Sequence, residues 1–95
     1  MFSLVITPSV KHKLESKHNV TELEVRQCFL NICGTYVVDD REDHRTDPPT
    51  LWFVAETDRG RVLKIIFVHA DGNVVLKSAY EPSPAVQEMY ERRGK

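Results

Sequence analysis

Cys28 and Cys33 are the only thiols in a chain of 95 residues. They lie five positions apart in a segment read as a helix and its end, which does not fit the C-x-x-C spacing of a redox or zinc pair. Both are expected to be free thiols in a reducing compartment. Long apolar runs are also missing: MFSLVITPSVKHK at the N-terminus has a short one with no basic residue ahead of it. Neither a signal peptide nor a membrane span is expected, and the protein is read as cytoplasmic. An excess of either charge is absent too, with 13 Lys and Arg against 14 Asp and Glu and a formal net charge of −1. Nucleic-acid binding would therefore have to come from a local patch and not from global attraction. There is no internal repeat, linker or low-complexity segment, and the length suits one domain, 1–95, around one core.

What is present is a concentration of strand-forming residues from Leu51 to Tyr80. Three runs rich in Val, Ile, Leu and aromatic residues are separated by Asp58-Arg59-Gly60 and by Asp71-Gly72, the residue order of two successive hairpins. Asp-Gly suits a two-residue type I′ turn, whose central residues both take positive φ. Counting outward from that turn, Ala70 pairs with Asn73, His69 with Val74, Phe67 with Leu76, Ile65 with Ser78 and Leu63 with Tyr80. Lys64, Ile66 and Val68 fall on the other face, opposite Ala79, Lys77 and Val75. Lys64 and Lys77 then become diagonal neighbours about 7–8 Å apart at the backbone. Two ammonium groups that close suggest a surface awaiting an anion, although lysines on a sheet face are most often simply solvated. Asp58-Arg59-Gly60 reads better as a three-residue loop with Gly60 left-handed. That choice puts Leu51, Phe53 and Ala55 on the Leu63 face, and Trp52, Val54 and Glu56 on the Lys64 face.

Upstream, Phe2 to Ile6 is either an added strand or a loosely held arm. Thr7-Pro8 reads as an N-cap and first helical residue, with Val10 and Leu14 buried and His18-Asn19 breaking the helix. Thr21-x-x-Glu24 is a capping box opening a second helix through about Ile32, with Leu23, Val25, Phe29, Leu30 and Ile32, and Cys28 beside them, turned toward the sheet. Gly34 would end it, and Tyr36 to Val38 form an opening strand. The polar stretch from Asp39 to Thr50 offers Asp39, Asp43 and His44 as metal ligands, but their spacing matches no metal motif, so no metal and no cofactor are expected. Ser83-Pro84 repeats the cap pairing ahead of a short final helix carrying Ala85, Val86, Met89 and Tyr90. The expected fold class is α+β. It has an antiparallel sheet, a meander of three strands plus one or two more, with two N-terminal helices and a short C-terminal helix.

This order of elements resembles the small toxins of bacterial type II toxin–antitoxin systems, and several residues narrow the likeness to the BrnT-like branch of the RelE/ParE superfamily. They are Lys17-His18-x-Val20 entering the capped helix, Asp39 and Arg41, Thr57-x-x-Gly60-Arg61 before an aliphatic strand, Ser78-Ala79 ending the last strand, and Tyr90-Glu91 in the final helix. The resemblance covers most of the chain and implies a RelE-like fold. It also implies a metal-independent endoribonuclease, held inactive by a cognate DNA-binding antitoxin encoded beside it. In that family an arginine commonly follows the Ser-Ala pair, whereas this chain has Tyr80, and its last helix has fewer arginines. Either the catalytic set differs here, or this is a divergent relative that binds RNA or protein without cleaving.

Metal-free RNA cleavage needs a group to take the 2′-hydroxyl proton, cations for the charge building on phosphate, and a group to protonate the leaving oxygen. Lys64 and Lys77 are the candidates for phosphate, with Arg61 as a third cation unless it faces the opposite side. His44, Glu56 and Tyr80 are the candidate proton carriers, and of these His44 has an unperturbed pKa near neutrality. Trp52 is either a base-stacking platform or part of the core.

Overall fold

The computed structural model describes residues 3–39 and 48–95. Strand β1 is Ser3–Val5, helix α1 is Pro8–Lys13 and continues as a π-helical turn over Leu14–His18, and helix α2 is Glu22–Leu30. Strands β2 (Val37–Val38), β3 (Thr50–Glu56), β4 (Val62–Ala70) and β5 (Asn73–Tyr80) precede helix α3 (Pro84–Arg93). The five strands form one sheet in the order β1-β5-β4-β3-β2. The fold is α+β, but the sheet is mixed and not antiparallel, because β1 runs parallel to β5 with Leu4 beside Val74. No hairpin dictates the direction of β1: it reaches β5 from the far end of the sequence, with helices and the meander between them. No helix among the described residues is long and apolar enough to cross a membrane.

Both hairpins obey the chemistry of their turn residues. Asp71 and Gly72 take φ of 53° and 78°, and Ala70 pairs with Asn73. The Gly60 amide donates to the Thr57 carbonyl while Gly60 itself sits at φ 83°, so the first turn is a type I turn closed by a left-handed glycine. It sets Val54 opposite Lys64 and Ala55 opposite Leu63. Phe53, Leu63, Ile65, Phe67 and Leu76 then share one fully buried face. Helix α2 covers that face, its Phe29 ring lying edge-on to Phe53 at 4.9 Å and to Phe67 at 5.4 Å. Such aromatic contacts contribute about 0.5–1.5 kcal/mol beyond area burial.

The capping residues act as their types suggest. Thr7 and Ser83 accept from the amides of Val10 and Val86, each ahead of a proline. Thr21 and Glu24 form a reciprocal capping box at 3.2 and 3.0 Å. Helix α1 departs from an ordinary ending. Ser16 Oγ donates back to the His12 carbonyl at 2.7 Å, which loosens the turn. The amides of Asn19 and Val20 both donate to the Leu14 carbonyl, with Asn19 left-handed at φ 53°. This wide closure delivers both Leu14 and Val20 into the core.

Helix α2 stops at Leu30 and not near Ile32, and it buries Val25, Cys28 and Phe29. Leu23 and Leu30, expected to face the sheet, are 64% and 82% exposed. At 100° per residue they project about 160° and 140° from Val25, so the core stripe leaves them outside. On the other face of the sheet, Trp52 packs against Tyr90 of α3 at 5.8 Å. The Tyr90 hydroxyl donates to the Thr35 carbonyl at 2.9 Å, and the Gly94 carbonyl receives the Thr35 amide and hydroxyl. These contacts tie the end of α3 to the segment before β2.

Candidate functional site

Strand β4 places Lys64 on the face away from α2, and the register there differs from the one expected. From Ala70 to Phe67 the pairing with β5 follows the turn, but a bulge between Ile66 and Phe67 shifts it by one residue. Ile65 faces Ala79 instead of Ser78, and Lys64 faces Tyr80 instead of Ala79. The physical reason lies in β5: Leu76 and Ala79 are both fully buried on the core side, and two residues separated by three positions cannot share a face of a regular strand. The extra residue is accommodated at Lys77-Ser78, the only adjacent polar pair in that strand.

This bulge corrects two expectations. Lys77 was to be a diagonal neighbour of Lys64; it is exposed, has no partner in the strand register, and lies three residues from Tyr80, the residue opposite Lys64. At about 3.3 Å per residue that is about 10 Å along the strand. The two lysines therefore do not form a close pair. Tyr80 was to lie on the Leu63 face; it moves to the Lys64 face, where the Lys64 ammonium stands 5.9 Å from its ring and 4.6 Å from the Trp52 ring. Cation–π contacts of this kind are attractive by about 0.5–2 kcal/mol and hold the ammonium at a definite place.

Two further groups join this face. The His18 ring, at the end of the π-helical turn, lies 5.4 Å from the Tyr80 ring. Glu56 is exposed on β3, two positions beyond Val54, which faces Lys64, so it is the diagonal neighbour of Lys64. Across the sheet the face thus presents Glu56, Lys64, Tyr80 and His18 in sequence. His18 was overlooked as a chemical group, because a residue just before a helix break reads as a structural stop. The signal for it was the Lys17-His18-x-Val20 string itself. His44 lies outside the described residues.

Arg61 and Trp52 are placed elsewhere. The Arg61 side chain is 25% exposed, and its guanidinium donates to Glu81 at 2.9 Å, to both Glu24 oxygens at 3.2 and 3.0 Å, and to the carbonyls of Asn19 and His18 at 2.7 and 3.1 Å. It bridges the π-helical turn, the start of α2 and the chain beyond β5. The Glu81 hydrogen bond is the largest influence on the Arg61 pKa and raises it. At Glu24, burial works against the charged form, but the Thr21 amide and Arg61 together outweigh it and lower the carboxyl pKa. Trp52 is 5% exposed between Tyr90 and Lys64, the position of a core residue and not of an open stacking platform.

Cys28 is buried against the Ala55 carbonyl, and desolvation pushes its thiol up to about 12, so it is inert at neutral pH. Comparison with protein-family models, with curated proteins and with solved structures gives no match to this chain.

Proposed function

We propose that this chain binds single-stranded RNA through the Lys64 face, as a non-enzymatic module with a RelE-like arrangement of sheet and helices. The observation that carries this reading is the Lys64 ammonium held over two aromatic rings on a half-open sheet face. A fixed cation there suits a phosphate, and the neighbouring Tyr80 and His18 rings are partly exposed and suit a base or ribose edge. Against cleavage stand the cations: Arg61 is engaged by two carboxylates and two carbonyls, Lys77 is set apart by the bulge, and position 80 is a tyrosine.

A second reading, a toxin-like endoribonuclease that needs no metal and is restrained by a DNA-binding antitoxin, is favoured by the row of Glu56, Lys64, Tyr80 and His18. That row holds a carboxylate and an imidazole for proton transfer on either side of one cation. The deciding experiment incubates a labelled RNA oligomer with the protein in EDTA. A shift in mobility or anisotropy without new fragments supports the module. Fragments that vanish with His18→Ala or Glu56→Ala support the nuclease, and the absence of both binding and cleavage overturns both.

A further inference from the structure

A cavity of about 570 Å³ opens where the end of α2, the β3–β4 hairpin and α3 converge. Its apolar wall includes Val54, Ala55, Val62 and Tyr90, of which Ala55 and Tyr90 are buried. Glu56, Asp58 and Glu91 stand around it with exposed side chains, and Lys95, the one cation in the lining among the described residues, is held by Glu91 at 2.9 Å. Asn31 braces this wall, its amide donating to the Glu56 carbonyl at 3.0 Å and to the Asp58 carboxylate at 2.9 Å. The volume falls within the range of ordinary ligand sites, and the combination of apolar wall and carboxylate rim complements a cation on a hydrocarbon stem.

We propose that this cavity docks a basic peptide segment of a partner protein, with an arginine or lysine stem along Val54 and Val62 and its head group among Glu56, Asp58 and Glu91. Two features favour a peptide over a small cation. The space exceeds what one basic side chain fills, leaving room for neighbouring residues of the same segment, and the apolar wall adds burial that a bare ion does not use. This reading goes beyond RNA binding and does not depend on it. Because Val54 faces Lys64 in the sheet, a docked peptide lies next to the RNA-facing residues.

The test is a titration of the isotope-labelled full chain with a nonapeptide of alternating arginine and leucine, followed by amide chemical shifts. A peptide with citrulline in place of arginine and free spermidine serve as the two comparisons. The expected result is saturable shifts at Val54, Ala55, Thr57 and Val62, absent with citrulline and much weaker with spermidine. Glu56→Gln with Glu91→Gln should weaken binding roughly tenfold, the loss of two rim ion pairs. Lys95→Gln, which removes the competing ammonium, should strengthen it, and a gain of affinity does not arise from misfolding. Shifts scattered over acidic residues elsewhere, equal binding of citrulline, spermidine binding as tight as the peptide, or no gain from Lys95→Gln would each overturn the proposal.

Discussion

Gly34 is a residue whose lack of a side chain is required by its surroundings and not by its backbone angles. A Cβ there would meet the Gly94 carbonyl and stand 2.8 Å from the Tyr90 hydroxyl, so the end of α3 would have to move. Gly34→Ala is expected to cost about 1–3 kcal/mol of stability by urea unfolding, the usual range for overpacking. Tyr90→Phe, which removes only the bond to Thr35, should cost about 1 kcal/mol. The two thiols differ in the same local way. Cys33 is exposed, whereas Cys28 is buried with its thiol pushed up to about 12. Iodoacetamide at pH 8 should therefore label Cys33 alone in the folded protein and both residues in urea, as read by peptide mass spectrometry. Equal labelling in the folded state would mean that α2 is not seated on the sheet.

At the scale of elements, Arg61 does what no single turn or cap does: from just ahead of β4 it reaches both the junction of the π-helical turn with α2, residues 18–24, and Glu81 beyond β5, all distant from it in sequence. Arg61→Ala strips carboxylate contacts from Glu24 and Glu81 and leaves two carbonyls at the end of the π-helical turn without their donor. Because the site is partly exposed, the expected cost is about 2 kcal/mol and not that of a fully buried ion pair. Glu24 adds a pH signature. Its folded carboxyl pKa is lowered, so its contribution is present above the unfolded value, near 4.3, and is lost as pH falls through the lower folded value. Denaturation series at several pH values should show Glu24→Gln less stable than wild type at pH 6, with the gap closing in acid. A gap independent of pH would mean that the carboxylate charge is not what holds the arginine.

The contrast between the two ends of the β4–β5 hairpin shows what could be read from residues alone. Asp71-Gly72 specifies its turn through backbone sterics, and the three caps likewise follow from a side chain and an amide three positions on, so all were legible. The bulge was not, because it follows from the need to bury Ala79 together with Leu76, a demand set by the packed core. A polar pair, Lys77-Ser78, between two buried residues was its trace in the sequence, and it decides which residues stand beside Lys64. Arg61 escaped for a related reason, since nothing local to Gly60-Arg61 announces Glu81 or the carbonyls of His18 and Asn19.

For the whole molecule, the α+β class, the three-stranded meander and its buried face followed from period-two alternation and turn chemistry, while the parallel pairing of β1 with β5 depended on contacts remote in sequence. The functional claim also belongs to this scale, because the face carrying Lys64 is assembled from β3, β4, β5 and the π-helical turn. The most direct measurement is the salt dependence of binding between the protein and a labelled single-stranded RNA oligomer, for wild type, Lys64→Ala and Trp52→Phe. If Lys64 neutralises one phosphate, log affinity should fall with log salt at a slope of about −0.7, and Lys64→Ala should abolish that dependence. Trp52→Phe should leave the slope unchanged, since the buried indole supports the ammonium and does not contact the chain of phosphates. No binding at low salt, or a slope that Lys64→Ala leaves untouched, would contradict the assignment of this face to RNA.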